Sequence, residues 1–317
     1  MRPAAKVGKE PILRFFCNAA NVGFQYIFET GMIFMSKDSS LDRDQGPTKV
    51  KMDDMLRKAS RSGLALMKTA TPDTPGAHGC WLGGQPTLPP TICWPSYTDK
   101  GLDLAVPMHF LAQINLSSIP RTAESQHLPE DGTLFFFYDT VRAPVDHFVD
   151  GGSQVIYVSG DVSQFAAREM PAIPDIKESF MKSNWYAQRQ TNGYLRWNID
   201  ILEYDGVYAR CFEDHTFFSS AVEETNKIEQ RFTNQMHRQA RRRSDPNAKI
   251  AKEFVWHHMF GAPIGDAQES GLVRLLALRD DPDINFEHAG DWIVFEITRQ
   301  NLKEQNFQKT CLHEELR

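Results

Sequence analysis

Apolar residues in this chain fall mostly in short unbroken blocks that end at glycine, proline or aspartate. Phe110 to Leu116, Leu134 to Tyr138 and Val155 to Val158 are blocks of this kind, separated by turn pairs such as Asp131-Gly132 and Gly151-Gly152. Such runs predict strands buried on both faces and joined by tight turns. Gln113 and Asn115 interrupt the first run at a spacing of two, so both face the same side of the strand. The stretch NIDILEYDG (198–206) predicts another strand, with Asp200, Glu203 and Asp205 along it.

Helical spacing is rarer. Thr48 offers a cap, Asp53 and Asp54 suit a first turn, and Met52, Met55, Leu56 and Ala59 share a face, with Gly63 as the stop. A short strand through Leu64, Ala65 and Leu66 should follow. Ile228, Phe232, Met236 and Ala240, spaced by four, predict a polar helix over Glu223 to Arg243, ended by Ser244-Asp245-Pro246. Ile250, Phe254 and His258 continue the spacing and predict a second helix. The segment WLGGQPTLPPTICWP (81–95) has no helical reading: Pro86, Pro89, Pro90 and Pro95 lack amide donors and fix φ, so an extended loop is expected.

An order of motifs recurs. The proline loop is followed by FLAQINLSSIP (110–120) and DGTLFFFYD (131–139); near the C-terminus FGAP (260–263) is followed by LLALRDD (275–281) and AGDWIVFEIT (289–298). The expectation is an α+β fold, β-rich with mainly antiparallel sheets, built as two related halves by internal duplication with a helical insertion between them. The halves would be 49–210 and 250–317 of one domain, 49–317, joined by a helical segment over 220–258, after a disordered or misassigned extension over 1–48.

Bulk composition narrows function more than fold. A 317-residue chain can bury a large core without metal or disulfides. The net charge of −6 argues against nucleic acid and acidic membranes as general partners. Five widely spaced cysteines without a CxxC pair point to a reducing, cytoplasmic setting. The apolar stretch 15–35 is broken by Asn18, Asn21, Gln25, Glu29 and Thr30, which suits neither a membrane span nor a signal peptide. Met32 and Met35 are alternative starts.

From Gly83 to Phe137 the chain carries GGxPxLPxxxxWP, a LAQINL-like strand and LPxxGxLxFF, and from His257 it carries His-x-x-x-Gly-x-Pro, with Gly261, Pro263 and Gln268 in place. In these features it resembles the YwqG-like family, catalogued as a domain of unknown function, over about 63–317. A Trp-Gly-Asp-Ala-Gly turn of that family reads Glu287-His288-Ala289-Gly290 here, which removes any role resting on its Trp or Asp. The resemblance implies an α+β fold of two halves and no established activity, cofactor or catalytic residue.

The candidate binding residues are Trp81, Gly83, Gly84, Pro86, Trp94, Gln113, Asn115, His257 and Gln268. Gly83-Gly84 offers backbone amides to an anion, but the context of a phosphate loop is absent and a rigid turn is the simpler reading. Trp81, Trp94 and Tyr97 offer either an aromatic recognition surface or core. Gln113 and Asn115 either meet a ligand or hydrogen-bond the proline loop, whose carbonyls need donors. His78, Cys80, Cys93 and His109 lack the paired spacing of a zinc site, and His237, His257 and His258 lack an HExxH frame, so no metal or cofactor is expected. Histidine next to histidine on a helix would diverge by about 100°. No GxSxG is present, and Asp200, Glu203 and Asp205 suit an exposed strand better than an acid–base pair. Arg238, Arg241, Arg242 and Arg243 close a predicted helix, where cations favour the dipole.

These readings lead to a non-catalytic protein-binding or interaction module, immunity-like in style. The alternative is a small-molecule-binding protein, or an unrecognised hydrolase, using Gln113 and Asn115 in a cleft between the halves.

Overall fold

A computed structural model describes residues 60–69, 71–99, 104–138, 152–172, 195–207, 257–261, 272–279 and 292–315, with positions 54, 230, 234 and 281. Ten strands form one antiparallel sheet. They are β1 (Ser60–Lys68), β2 (Trp81–Leu82), β5 (His109–Asn115), β6 (Thr133–Tyr138), β7 (Ser153–Val158), β8 (Trp197–Val207), β9 (His257–Phe260), β10 (Leu272–Arg279), β11 (Trp292–Thr298) and β12 (Cys311–Glu315). Their order is β12-β11-β10-β9-β1-β8-β2-β5-β6-β7, with β3 (Ser96–Asp99) and β4 (Leu104–Pro107) making a separate hairpin. The sheet curls until its two ends approach. Tyr157 of β7 lies 5.5 Å, centroid to centroid, from Phe307 in the 3-10 turn Phe307–Lys309 that precedes β12.

Alternation along β6 explains its unbroken apolar run. Leu134, Phe136 and Tyr138 enter the main core inside the curl, where Phe136 meets Phe295 edge-on at 5.3 Å. Phe135 and Phe137 face outward into a second cluster with Trp81, Leu88, Trp94 and Phe110. Each fully buried phenylalanine contributes about 1.5–3 kcal/mol. The outer face is therefore closed by the proline loop and the β3–β4 hairpin, and the loop is part of the fold's covering rather than an appendage. A β-bulge between Phe110 and Ala112 shifts the phase of β5, so that Gln113 faces Phe135 in the register.

The expected α+β fold of two related halves is corrected. β1 pairs with β8 along its whole length and with β9 on its other side, which joins the strands of both motif copies into one sheet. Among the described residues no helical insertion or duplication is shown. The recurring strings are what an antiparallel meander produces wherever a glycine turn feeds an apolar strand. The predicted helical segment 220–258 lies almost wholly outside the described residues, but His257 and His258 at its end are strand, not helix. Paired on both sides by β1 and β10, their backbone groups are taken by the ladder. The extension 1–48 also lies outside the described residues.

Gly63 is a second correction, since it sits inside β1 instead of stopping a helix. A side chain there would meet the Tyr204 ring at 2.5 Å, so the glycine makes room for an aromatic crossing the strand. The helix whose residues are all described is the short α1 (Arg299–Lys303), capped by the Thr298 hydroxyl.

Candidate functional site

At the outer ends of β5 and β6 the covering is incomplete and leaves a cleft of about 450 Å³. Its walls include Trp81, Gln113, Asn115, Arg196, Asp131 and Asp161. All of its lining falls within 78–196, so the cleft lies beside one part of the sheet and not between the two copies of the motif order.

Trp81 is 3% exposed, and its indole Nε1–H has no hydrogen-bond partner. A buried donor left unpaired costs roughly 1–3 kcal/mol. The Arg196 guanidinium lies 3.8 Å from the centre of the Trp81 ring, a cation–π distance. Its Nε donates to Asn198 Oδ1 at 3.2 Å, and partial burial lowers its pKa through lost solvation. Sequence reasoning missed Arg196. Nothing local marks it; its place is set by β8 running beside β2.

Gln113 spans the loop and the strand. Its Oε1 accepts from the Thr87 backbone N–H (2.9 Å) and hydroxyl (3.1 Å), and its Nε2 donates to the Gly79 carbonyl (3.4 Å). The amide thus links Thr87 of the proline loop to Gly79 by accepting from the loop, and none of these bonds goes to a carbonyl of the loop itself. Asn115 caps the 3-10 turn Leu116–Ser118, with Oδ1 accepting from the Ser117 N–H and hydroxyl. Asp161, also in the lining, accepts from the Ser163 N–H (2.8 Å) and hydroxyl (2.9 Å). These bonds hold its carboxyl below the usual range, with a smaller contribution from His78. The hydroxyl bonds the acid directly with no imidazole between them, so this is a turn motif and not a nucleophile–base relay.

The remaining candidates are structural where they are described. Trp94 is buried; its Nε1–H donates to the Met108 carbonyl at 2.8 Å, and its ring meets Phe137 edge-on at 5.3 Å. It is core, not an exposed recognition surface. Pro86 is buried and its carbonyl accepts from the Arg168 N–H, while the Arg168 guanidinium donates to the carbonyls of Pro89 and Ile92. Arg168 thereby satisfies the loop whose own amides are missing. Gly83 and Gly84 take φ of 64° and 66°, and the Gly83 N–H is used by the Leu111 carbonyl. Neither lines the cleft. Gln268 and Arg238 to Arg243 lie outside the described residues.

His257 and His258 diverge because strand neighbours face opposite sides. His257 Nδ1 accepts from the Arg279 N–H, which fixes the ring as neutral, and Nε2 bonds Asp281 at 3.0 Å. Asp281 also pairs with Lys68 at 2.7 Å. Burial holds the His257 pKa below 6.5 and that of His258 well below it. Burial pushes the Cys80 thiol up to about 12, so it is neither a thiolate ligand nor a nucleophile. Among the described residues no three histidine, cysteine, aspartate or glutamate side chains converge as metal ligands.

Among the described residues no helix is long and apolar enough to cross a membrane. A family described as a domain of unknown function (DUF1963) matches residues 81–314, which covers most of the chain from the proline loop to β12. No curated protein matches. The chain belongs to the DUF1963 family.

Proposed function

We propose that this DUF1963 member is a non-catalytic module that binds a small polar molecule in the cleft walled by Trp81, Gln113, Asn115 and Arg196. The observation that carries this is the Arg196 guanidinium, stacked on Trp81 in the cleft lining with no carboxylate partner among the described residues. A ligand carboxylate or carbonyl oxygen there would give its donors an acceptor. The volume falls within the range of small-molecule sites, about 300–1,000 Å³. The lining holds no activated nucleophile, which favours binding over hydrolysis. Within the family we place the chain as YwqG-like on the motifs from Gly83 to Phe137, and in a reducing cytoplasm, a reading supported by the free thiols of Cys80 and Cys93.

This reading displaces the protein-binding and immunity-like one. Trp94 and Tyr97 are buried, and Leu195 is the exposed large apolar side chain among the described residues, so the aromatic loop has little surface to offer a protein. Equilibrium dialysis of the full chain against a metabolite extract, read by mass spectrometry, tests it. The expected result is enrichment of one small polar compound by the wild type and its loss in Arg196→Gln, which removes the charged donor. No enrichment, or equal enrichment by both proteins, sinks the reading.

A further inference from the structure

We infer that the cleft takes a hydroxy acid, its carboxylate on Arg196 and its hydroxyl on the neighbouring pair Asn115 and Thr133. This rests on the cleft being a small-ligand site, and it adds the ligand's chemistry.

Arg196 sets the carboxylate end. The Trp81 ring beneath it and Asn198 on its Nε hold the guanidinium, and no carboxylate among the described residues pairs with it. Its terminal nitrogens remain as a fork of donors in the cleft lining, the geometry that suits a carboxylate.

The second group stands on the same face of the sheet. Asn115 pairs with Thr133 in the register of β5 and β6, which brings their β-carbons to about 5 Å. The Asn115 Oδ1 accepts from the Ser117 N–H, so the other end of that amide is its NH2. This NH2 lies beside Gly79, where a β-carbon would come within 3.1 Å of it. No acceptor among the described residues takes its hydrogens. Thr133 is largely buried, but its hydroxyl reaches the cleft and has no partner among the described residues. An amide donor beside a hydroxyl suits a ligand hydroxyl, which accepts from the one and donates to the other.

The register also bounds the spacing. Trp81, which carries the guanidinium, pairs with Gln113, two residues before Asn115 on the same face of β5. Two residues span about 7 Å along a strand, so carboxylate and hydroxyl are several bonds apart. Other ligands fit less well. A phosphate would bring about two negative charges to a lining with one arginine and two aspartates. A neutral sugar would leave the guanidinium without a counter-charge.

Saturation-transfer NMR of the full chain tests this with straight-chain and aromatic hydroxy acids, each titrated beside its primary amide and its deoxy acid. Expected is binding of at least one hydroxy acid. Its amide should bind about tenfold or more weakly and its deoxy acid about twofold to tenfold, the losses typical of charged and neutral hydrogen bonds. Arg196→Gln, at an exposed position, should bind acid and amide alike. Thr133→Val, which keeps the branched shape that suits a strand, should bind hydroxy and deoxy acids alike. No binding by any hydroxy acid, or equal binding of the amide by the wild type, overturns the inference. So does a Thr133→Val variant that still prefers the hydroxy acid. A compound without a carboxylate that the dialysis enriches and Arg196→Gln releases would overturn it too, while leaving the cleft as the site. Absence of any ligand in both experiments overturns both.

Discussion

A β-carbon on Gly84 would lie 2.6 Å from the β-carbon of Arg196. The glycine also holds a φ of 66° that other residues rarely adopt. Gly84 thus clears the space in which Arg196 lies across Trp81. Gly84→Ala should cost about 1–3 kcal/mol, from the left-handed backbone and the close contact with the arginine stem. Urea unfolding measures it; an unchanged midpoint would mean that β8 shifts aside at no cost.

Trp94 gives a clean test of core against surface. Its ring fills the outer cluster and its N–H is satisfied, so Trp94→Ala should cost about 3–5 kcal/mol. Trp94→Phe should cost less. A loss below about 1 kcal/mol for the alanine variant would place the ring outside the core.

Acid stability should follow the two neighbouring histidines. Both are buried neutral with pKa values below 6.5, so the unfolded chain takes up protons there before the fold does. Their contribution is complete above pH 6.5 and is lost as pH falls below it, by about 1.4 kcal/mol per pH unit for each group. Asp281, whose pKa lies below the ordinary 3.8 because His257 and Lys68 favour its charged form over the opposing effect of burial, adds a loss only below that value. Unfolding free energy measured from pH 8 to pH 4 should be flat and then fall, and His258→Gln should fall less steeply. A flat profile down to pH 4 would contradict the neutral assignment.

Removing the charge at the centre of that group should be costly. Asp281→Asn removes the buried carboxylate that both Lys68 and His257 meet, and a loss of about 3–5 kcal/mol is expected from denaturant unfolding.

Cys80 and Cys93 should differ in reactivity. Cys93 is exposed, whereas Cys80 is buried with its thiol pKa near 12. At pH 8 a thiol reagent should modify Cys93 in the folded protein and leave Cys80 intact until denaturant is added. Peptide mass spectrometry separates the two.

The strands were legible where the sequence carried them locally. The apolar runs of β5, β6 and β11 have one reading, and so does a loop with four prolines. Gly63 misled because a glycine after a helical pattern looks like a stop, and only Tyr204, from a distant strand, explains it. His258 misled because Ile250, Phe254 and His258 happen to share helical spacing, while pairing with β1 and β10 is non-local. The outward cluster around Trp94 was undecidable locally, since a tryptophan beside prolines suits core and surface equally. Within the cleft, Trp81, Gln113 and Asn115 were visible as odd residues in their segments. Arg196 was not, because its role depends on Gly84 and Trp81, which only the sheet brings near.

The approach of Tyr157 to Phe307 has a consequence for how the molecule opens. Among the described residues every other neighbour in the curled sheet is joined by a ladder of backbone bonds, but this seam is closed by side chains. A cylinder with one unladdered seam has a fixed place to part, and its edges there are the ones that meet solvent first. Trimming the last strand would uncover both lips of the seam at once and turn a self-contained sheet into one with free edges for strangers to pair with.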